Sequence, residues 1–162
     1  MDKEIITYDN PTISDLDELV DLRLSYIISD FGDEVEKEKD LYLENIRSYF
    51  KNNLGKNLIG FVARNNNKIV ATAYLLLIEK LPNPYVKNGL CGEVLSVYTI
   101  PEYRNKGIAY KLLLNLIDYA RKKNLSKIDL KATTNGHELY KKLGFVDLVQ
   151  KYTNMRLYLK EE

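Results

Sequence analysis

Apolar positions along the chain follow two periods, and the switches between them mark out its elements. Ile13, Leu16, Leu19, Val20, Arg23, Leu24 and Ile27 follow helical spacing and predict an amphipathic helix over 14–29, with Ser14-x-x-Asp17 as its capping box. Gly32 interrupts, and a second, charged helix is expected from about 35 to 53, with Tyr42, Ile46, Tyr49 and Phe50 on one face. Ahead of both, Glu4–Tyr8 reads as a short strand ended by Pro11. Past Asn57 the period shortens. Residues 58–64 and 68–79 are rich in branched and aromatic side chains and read as strands. Asn65-Asn66-Asn67 suits the hairpin turn between them, because Asn tolerates left-handed backbone angles. Leu81-Pro82-Asn83-Pro84 cannot continue a strand, so 81–90 is a loop, and 91–100 is the next strand, closed by Pro101.

Residues 107–123 form the clearest helix. Ile108, Leu112, Leu113, Leu116, Ile117 and Ala120 make a stripe wide enough to need a sheet beneath it. Alternation over 125–132 predicts a strand, 136–143 a short helix, and Gly144 its left-handed stop. Two closing strands, 145–150 and 153–160, are expected as an antiparallel pair. The order is β-α-α-β-β-β-α-β-α-β-β. Hairpins favour antiparallel pairing, and the helix between Ile100 and Leu125 favours a parallel crossover. The predicted fold class is therefore α/β in the mixed α+β sense: a mixed, mostly antiparallel sheet with helices on both faces.

Composition narrows this picture. A chain of 162 residues, 45% hydrophobic and 29% charged, fits one domain over 1–162. A net charge of +1 argues against a nucleic-acid partner. Cys91 is the only cysteine and His137 the only histidine, so no disulfide, no metal site and no Ser-His-Asp triad is expected. The start, Met1-Asp2-Lys3-Glu4, is charged rather than leader-like, and the longest apolar run, 69–78, is too short for a bilayer. The expectation is a cytoplasmic protein with no membrane partner.

The chemistry concentrates in Glu93–Tyr110. There a strand runs through a turn, Arg104-x-x-Gly107-x-Ala109, into a helix start. Main-chain N–H groups of such a turn converge at the positive end of a helix dipole and suit a phosphate. The pattern contains neither Gly-x-x-x-x-Gly-Lys-[Ser/Thr] nor Gly-x-Gly-x-x-Gly, which weighs against a nucleotide-binding domain.

Three features together resemble the GNAT acetyltransferase superfamily. Arg104-Asn105-Lys106-Gly107-Ile108-Ala109 is similar to its [Gln/Arg]-x-x-Gly-x-[Gly/Ala] pyrophosphate signature. The lead-in strand Val97-Tyr98-Thr99-Ile100-Pro101 is similar to the family's own. Ala132–Phe145 resembles a second signature, ending in Leu139-Tyr140-x-x-Leu143-Gly144-Phe145. The resemblance implies an N-acetyltransferase that takes acetyl-CoA as co-substrate, needs no metal, and acetylates a small-molecule or peptide amine by direct attack in a ternary complex. It also allows a homodimer through edge strands. The alternative on the same fold is a non-catalytic acyl-CoA sensor or regulatory domain.

Residue by residue, the resemblance implies that backbone groups of Arg104, Asn105, Lys106, Gly107, Ile108 and Ala109 hold the pyrophosphate, with charge added by the Arg104 and Lys106 side chains. Main-chain groups of Val97, Tyr98 and Thr99 would pair with the pantetheine arm. Tyr140 takes the general-acid position; the plainer reading is a core residue beside Leu139 and Leu143. Glu93 is the candidate base, placed by simple alternation on one face with Leu95, Val97 and Thr99. Its alternative is a strand-end glutamate, with ordered water as the base. Asn135 reaches CoA or caps the short helix. His137 reads as a surface or capping residue and Cys91 as a buried hydrophobe. The acidic run from Asp30 to Glu44 and the loop Pro82–Tyr85 are candidate substrate walls.

Overall fold

The computed structural model describes residues 5–160; the opening Met1–Glu4 and the last two residues lie outside it. The chain divides into two compact units, Met1–Lys131 and Ala132–Glu162.

The first unit is built on a five-stranded sheet of order β1-β2-β3-β4-β5, formed by β1 (Ile6–Asp9), β2 (Leu58–Asn65), β3 (Lys68–Glu79), β4 (Leu90–Thr99) and β5 (Ile128–Asp129). The first three pairings are antiparallel and β4–β5 is parallel, as the connections between the strands require. The Asn hairpin forms as expected, with Asn66 at φ 46° and Asn67 at φ 69°. Mixed α/β architecture is thus observed.

Helices α1 (Leu16–Phe31) and α3 (Leu43–Asn53) cover one face. Leu19, Val20 and Phe50 pack there with Leu58, Val62, Ile69 and Tyr74. Helix α4 (Ile108–Lys122) covers the other, with Leu112, Leu113 and Leu116 fully buried. Phe61 meets Tyr119 of α4 edge-on, ring centroids 5.9 Å apart. Arg64 ties β2 to the start of α1. Its Nη1 and Nη2 donate to the two Asp15 oxygens at 3.0 and 2.9 Å, and its Nε donates to Asp9. The hydrogen bonds from Arg64 hold the Asp15 carboxyl below the usual aspartate range.

Several expectations change. The capping box is Thr12 with Asp15, not Ser14 with Asp17, because a single 3-10 turn over Ile13–Asp15 precedes α1. The second helix is not continuous. It breaks into α2 (Glu34–Lys37), a 3-10 turn over Lys39–Leu41, and α3. Between Gly32 and Leu41, Val35 is the only large apolar residue, so there is no face to pack and no reason for an unbroken helix. The strand expected over 125–132 is paired only at Ile128 and Asp129.

The second unit holds α5 (His137–Lys142) and the chain beyond it. Gly144 has φ 94°, as its role as helix stop predicts. The closing strands 145–150 and 153–160 do not form. A strand needs a partner edge as well as a pattern. The connection Lys151-Tyr152 also lacks the Gly, Asn or Asp that supplies positive φ in a two-residue hairpin turn. Among the described residues, no helix is long and apolar enough to cross a membrane.

Candidate active site

The lead-in strand β4 has two edges with different fates. Its β3 edge is paired along its length, from Glu79↔Leu90 to Ala71↔Thr99. Its β5 edge is paired only at Gly92↔Ile128 and Glu93↔Asp129. Beyond Glu93 the two parallel strands part, and that edge of β4 has no further pairing with β5. In the same stretch the strand bulges. Leu95 pairs with Tyr74 and Tyr98 with Thr72, so three steps on β4 match two on β3, and Ser96 sits at φ 51°.

The bulge overturns simple alternation. Cross-strand partners share a face, so Glu93 and Leu95 share theirs with Tyr98, opposite Leu76, Tyr74 and Thr72. Thr99 passes to the other face, opposite Ala71. Leu95, Tyr98 and Ile100 pack on the α1/α3 side, which is therefore the side that Glu93 shares. No feature of the sequence marks this slip, since β4 carries apolar residues on both faces.

After a 3-10 turn over Pro101–Tyr103 the chain enters the Arg104–Ala109 turn, the cradle expected for a phosphate. Asn105 has φ 60° and Gly107 φ 74°. Alternating backbone hand of this kind draws N–H groups toward a common point. Gly107 is the N-cap of α4 and offers no side chain to it, so no side-chain cap closes the helix start. A Cβ built on Gly107 would meet nothing within 4 Å. These residues fit a pyrophosphate.

The side chains of the turn behave differently from its backbone. Arg104 folds back on β4. Its Nε donates to the Thr99 carbonyl at 2.9 Å, and its guanidinium carbon lies 5.7 Å from the Tyr98 ring centroid. It steadies the strand end in this arrangement. The Lys106 ammonium lies 4.9 Å from the Tyr103 ring centroid. Tyr103 in turn accepts from Asn65 at 2.6 Å, which anchors the turn to the Asn hairpin. Glu93, Val97–Thr99 and Arg104–Ala109 thus lie on one continuous strand–turn–helix path in the first unit. Cys91 is buried on β4, 1% exposed, as a small hydrophobe.

Tyr140 and Asn135 belong to the second unit. There the Leu-Tyr-x-x-Leu-Gly-Phe segment has a local explanation. Gly144 N–H donates to the Lys141 carbonyl and Phe145 N–H to the Tyr140 carbonyl, both at 3.0 Å. With Gly144 left-handed, these are the two bonds of a Schellman stop, and Phe145 meets Tyr140 edge-on at 5.9 Å as its hydrophobic contact. Gly136 lies beneath the Tyr140 ring, where a Cβ would come 3.1 Å from Cε2. The ring is therefore held by the motif, while the hydroxyl plays no part in the Schellman bonds. Asn135 does not cap α5: the N-cap is Gly136, no side chain caps the helix, and Thr133 Oγ1 accepts from Gly136 N–H at 3.2 Å in the turn before it. His137 Nε2 lies 2.7 Å from Asp147 Oδ1, and this hydrogen bond is the leading cause holding the Asp147 carboxyl below its ordinary range.

Ser96 and Arg23 are absent from the residues chosen by motif. Arg23 Nη1 donates to Ser96 Oγ at 3.1 Å, across from α1 to the bulge. A signal for Arg23 exists in the sequence, because it occupies the apolar stripe of its helix.

The sequence matches the model of the acetyltransferase (GNAT) family over residues 17–145, and the chain belongs to this family. Acetyl transfer is the family's chemistry, and acetyl-CoA the acetyl source it uses. No curated protein sequence matches the chain. Among solved structures, it is similar to a predicted acetyltransferase from Clostridium acetobutylicum crystallised with acetyl-CoA. The two are 29% identical, with a TM-score of 0.82 over 94% of this chain and 96% of that one. A GCN5-related N-acetyltransferase from Ralstonia eutropha JMP134 is 19% identical, with a TM-score of 0.77 over 93% and 99% of the two chains. Glucosamine-6-phosphate N-acetyltransferase from Arabidopsis thaliana is 21% identical, with a TM-score of 0.63 over 97% and 100%. The last two are likenesses of fold.

Proposed function

We propose that the chain is an N-acetyltransferase that uses acetyl-CoA and acetylates a primary amine by direct attack in a ternary complex. One observation carries the reading. Strand β4 parts from β5 after Glu93, bulges at Ser96, and runs into a left-handed turn at the uncapped start of α4. An open strand edge suits the amide-bearing pantetheine arm, and an uncapped helix start suits a pyrophosphate.

Acetyl-CoA, when bound, supplies a thioester whose carbon–sulfur bond breaks as a carbon–nitrogen bond to the amine forms. Main-chain groups of Val97, Tyr98 and Thr99 hold the pantetheine arm. The N–H groups from Asn105 to Ala109 hold the pyrophosphate, and Gly107 lets it approach the backbone. Asn135, which does not cap α5, is a further cofactor contact in this reading. Glu93 takes the proton that the attacking amine gives up, and Tyr140 donates one to the departing thiolate.

Calorimetry with acetyl-CoA tests this on the wild-type chain and on Gly107→Val, alongside CoA release with a panel of amines. The wild type should bind. The variant should bind about tenfold more weakly or worse, because a β-branched residue at positive φ distorts the turn. An undiminished affinity in the variant removes the cradle as the site. Binding without amine-dependent CoA release favours the sensor reading instead.

A further inference from the structure

The α1/α3 face of the first unit holds a cation that no carboxylate answers. Arg23 is half-buried on α1. Its guanidinium lies 5.1 Å from the Tyr26 ring centroid, and Tyr26 meets Tyr98 edge-on at 6.4 Å. Among the described residues, no Asp or Glu stands within ion-pair distance of it. Arg47 and Arg64 in the same unit each have an aspartate. A guanidinium carries five N–H donors in a planar fork, and among the described residues Arg23 makes one hydrogen bond, to the neutral hydroxyl of Ser96.

A second donor without an acceptor lies close by. Tyr74 is 2% exposed and pairs with Leu95 on β4, and its hydroxyl has no hydrogen-bond partner among the described residues. The Thr72 hydroxyl is near enough to perturb it, but no hydrogen bond of ordinary geometry joins the two. Burial keeps the Tyr74 hydroxyl protonated well above the usual phenol range, and the Arg23 charge acts on the same group. This neighbourhood therefore has hydrogen-bond donors that no neighbouring acceptor matches. It adjoins the β4 bulge, on the face that Glu93 shares with Leu95 and Tyr98.

We propose that the acceptor amine also carries an anionic oxygen group, a carboxylate or a phosphate, and that Arg23 binds it. The proposal rests on the reading of β4 as the acyl-CoA strand. A guanidinium fork matches two oxygens of either group, and partial burial strengthens the pairing over a surface contact. The competing role for Arg23 is a clip between α1 and β4 through Ser96, which would be indifferent to the charge of the acceptor.

Paired acceptors differing in one anionic group separate these roles. The pairs are amino acids against their α-amides, and glucosamine 6-phosphate against glucosamine. In the wild type the acidic member of at least one pair should have a kcat/KM about tenfold higher or more, and the pair that shows it identifies carboxylate or phosphate. Arg23→Gln should bring that ratio to within about twofold, mainly through KM, and Arg23→Lys should fall between. The ratio is independent of how much of a variant is folded. Neutral members that equal or better the acidic ones in both pairs overturn the proposal, as does a ratio that survives in Arg23→Gln. A wild type that acetylates no member overturns it too. Calorimetry with acetyl-CoA then shows separately whether the cofactor site stands.

Discussion

The two faces of the sheet are packed on different terms. Under α4, Leu112, Leu113 and Leu116 are at most 1% exposed. Opposite them the strands present Ala63, Ala71, Ala73 and Leu75, also fully buried. Small residues let the helix lie close, and the buried groups are hydrocarbon. The α1/α3 face begins the same way, with Leu19, Val20 and Phe50, but where it reaches β4 it carries Arg23, Tyr74 and Glu93. Polar groups in such a setting weaken a core unless they serve something else. The α4 face is scaffold. On the proposed reading the other face combines scaffold with chemistry, and the bulge at Ser96 is where the change would occur.

The largest test of this contrast is Leu116→Ala. Removing a fully buried leucine from the scaffold face should cost about 3 kcal/mol in denaturant unfolding. Activity per folded molecule should hardly change. A loss of kcat in the folded fraction would show that the α4 face takes part in the chemistry. Glu93→Gln and Tyr140→Phe should do the opposite. Each should lower kcat by about a hundredfold, with acetyl-CoA affinity and melting temperature nearly unchanged. Tyr140→Phe is the cleaner of the two, because the ring, the Schellman bonds and the Phe145 contact all remain. An unchanged kcat in that variant returns Tyr140 to a purely structural role.

The smaller effects concern how the α1/α3 face is fixed. Asp15 receives the Arg64 fork and is half-buried. Asp15→Asn should cost about 1–2 kcal/mol at neutral pH. The native carboxyl titrates below its unfolded value, so its stabilisation is complete above the ordinary aspartate value of about 3.9. It is lost as the pH falls from there through the lowered native value. Urea midpoints of the wild type and Asp15→Asn should therefore converge in acid. A constant gap across that range would mean that the Arg64 fork does not carry the difference.

What the sequence made legible was decided by how each element is held. Strand β3 is read to its ends, because the Asn hairpin starts it and the Leu81-Pro82 loop follows it. Helix α4 is read to within a residue, because its stripe fits only one period. The turn before α4 is legible because it depends on local backbone, with Gly107 at positive φ. The bulge is not, since a slip by one residue shows only where one face is polar, and β4 is apolar on both. The closing strands fail for a related reason. Their alternation is real, but pairing is non-local, and Val149, Met155 and Leu159 remain exposed. Arg23 was visible as a charge in an apolar stripe, yet its meaning depends on Ser96, seventy-three residues later.

The smallest effect expected is also the most discriminating. A buried hydroxyl without an acceptor opposes folding, so Tyr74→Phe should stabilise the chain by about 1 kcal/mol. The ring would keep its place against Phe50, 5.4 Å away between centroids, so packing contributes little to the change. On a face that served only as scaffold, the variant would be more stable and equally active. On a face that receives an anionic acceptor beside Arg23, the same hydroxyl is a donor lost to the bound state. KM for the acidic acceptor should then rise about two- to threefold while kcat holds. Melting curves and paired KM values from one preparation give both readings. A gain in stability with unchanged KM places Tyr74 with the scaffold and moves the boundary of the site to Arg23. A loss of stability shows that the hydroxyl is satisfied in the folded chain, and removes it from the donor excess around the bulge.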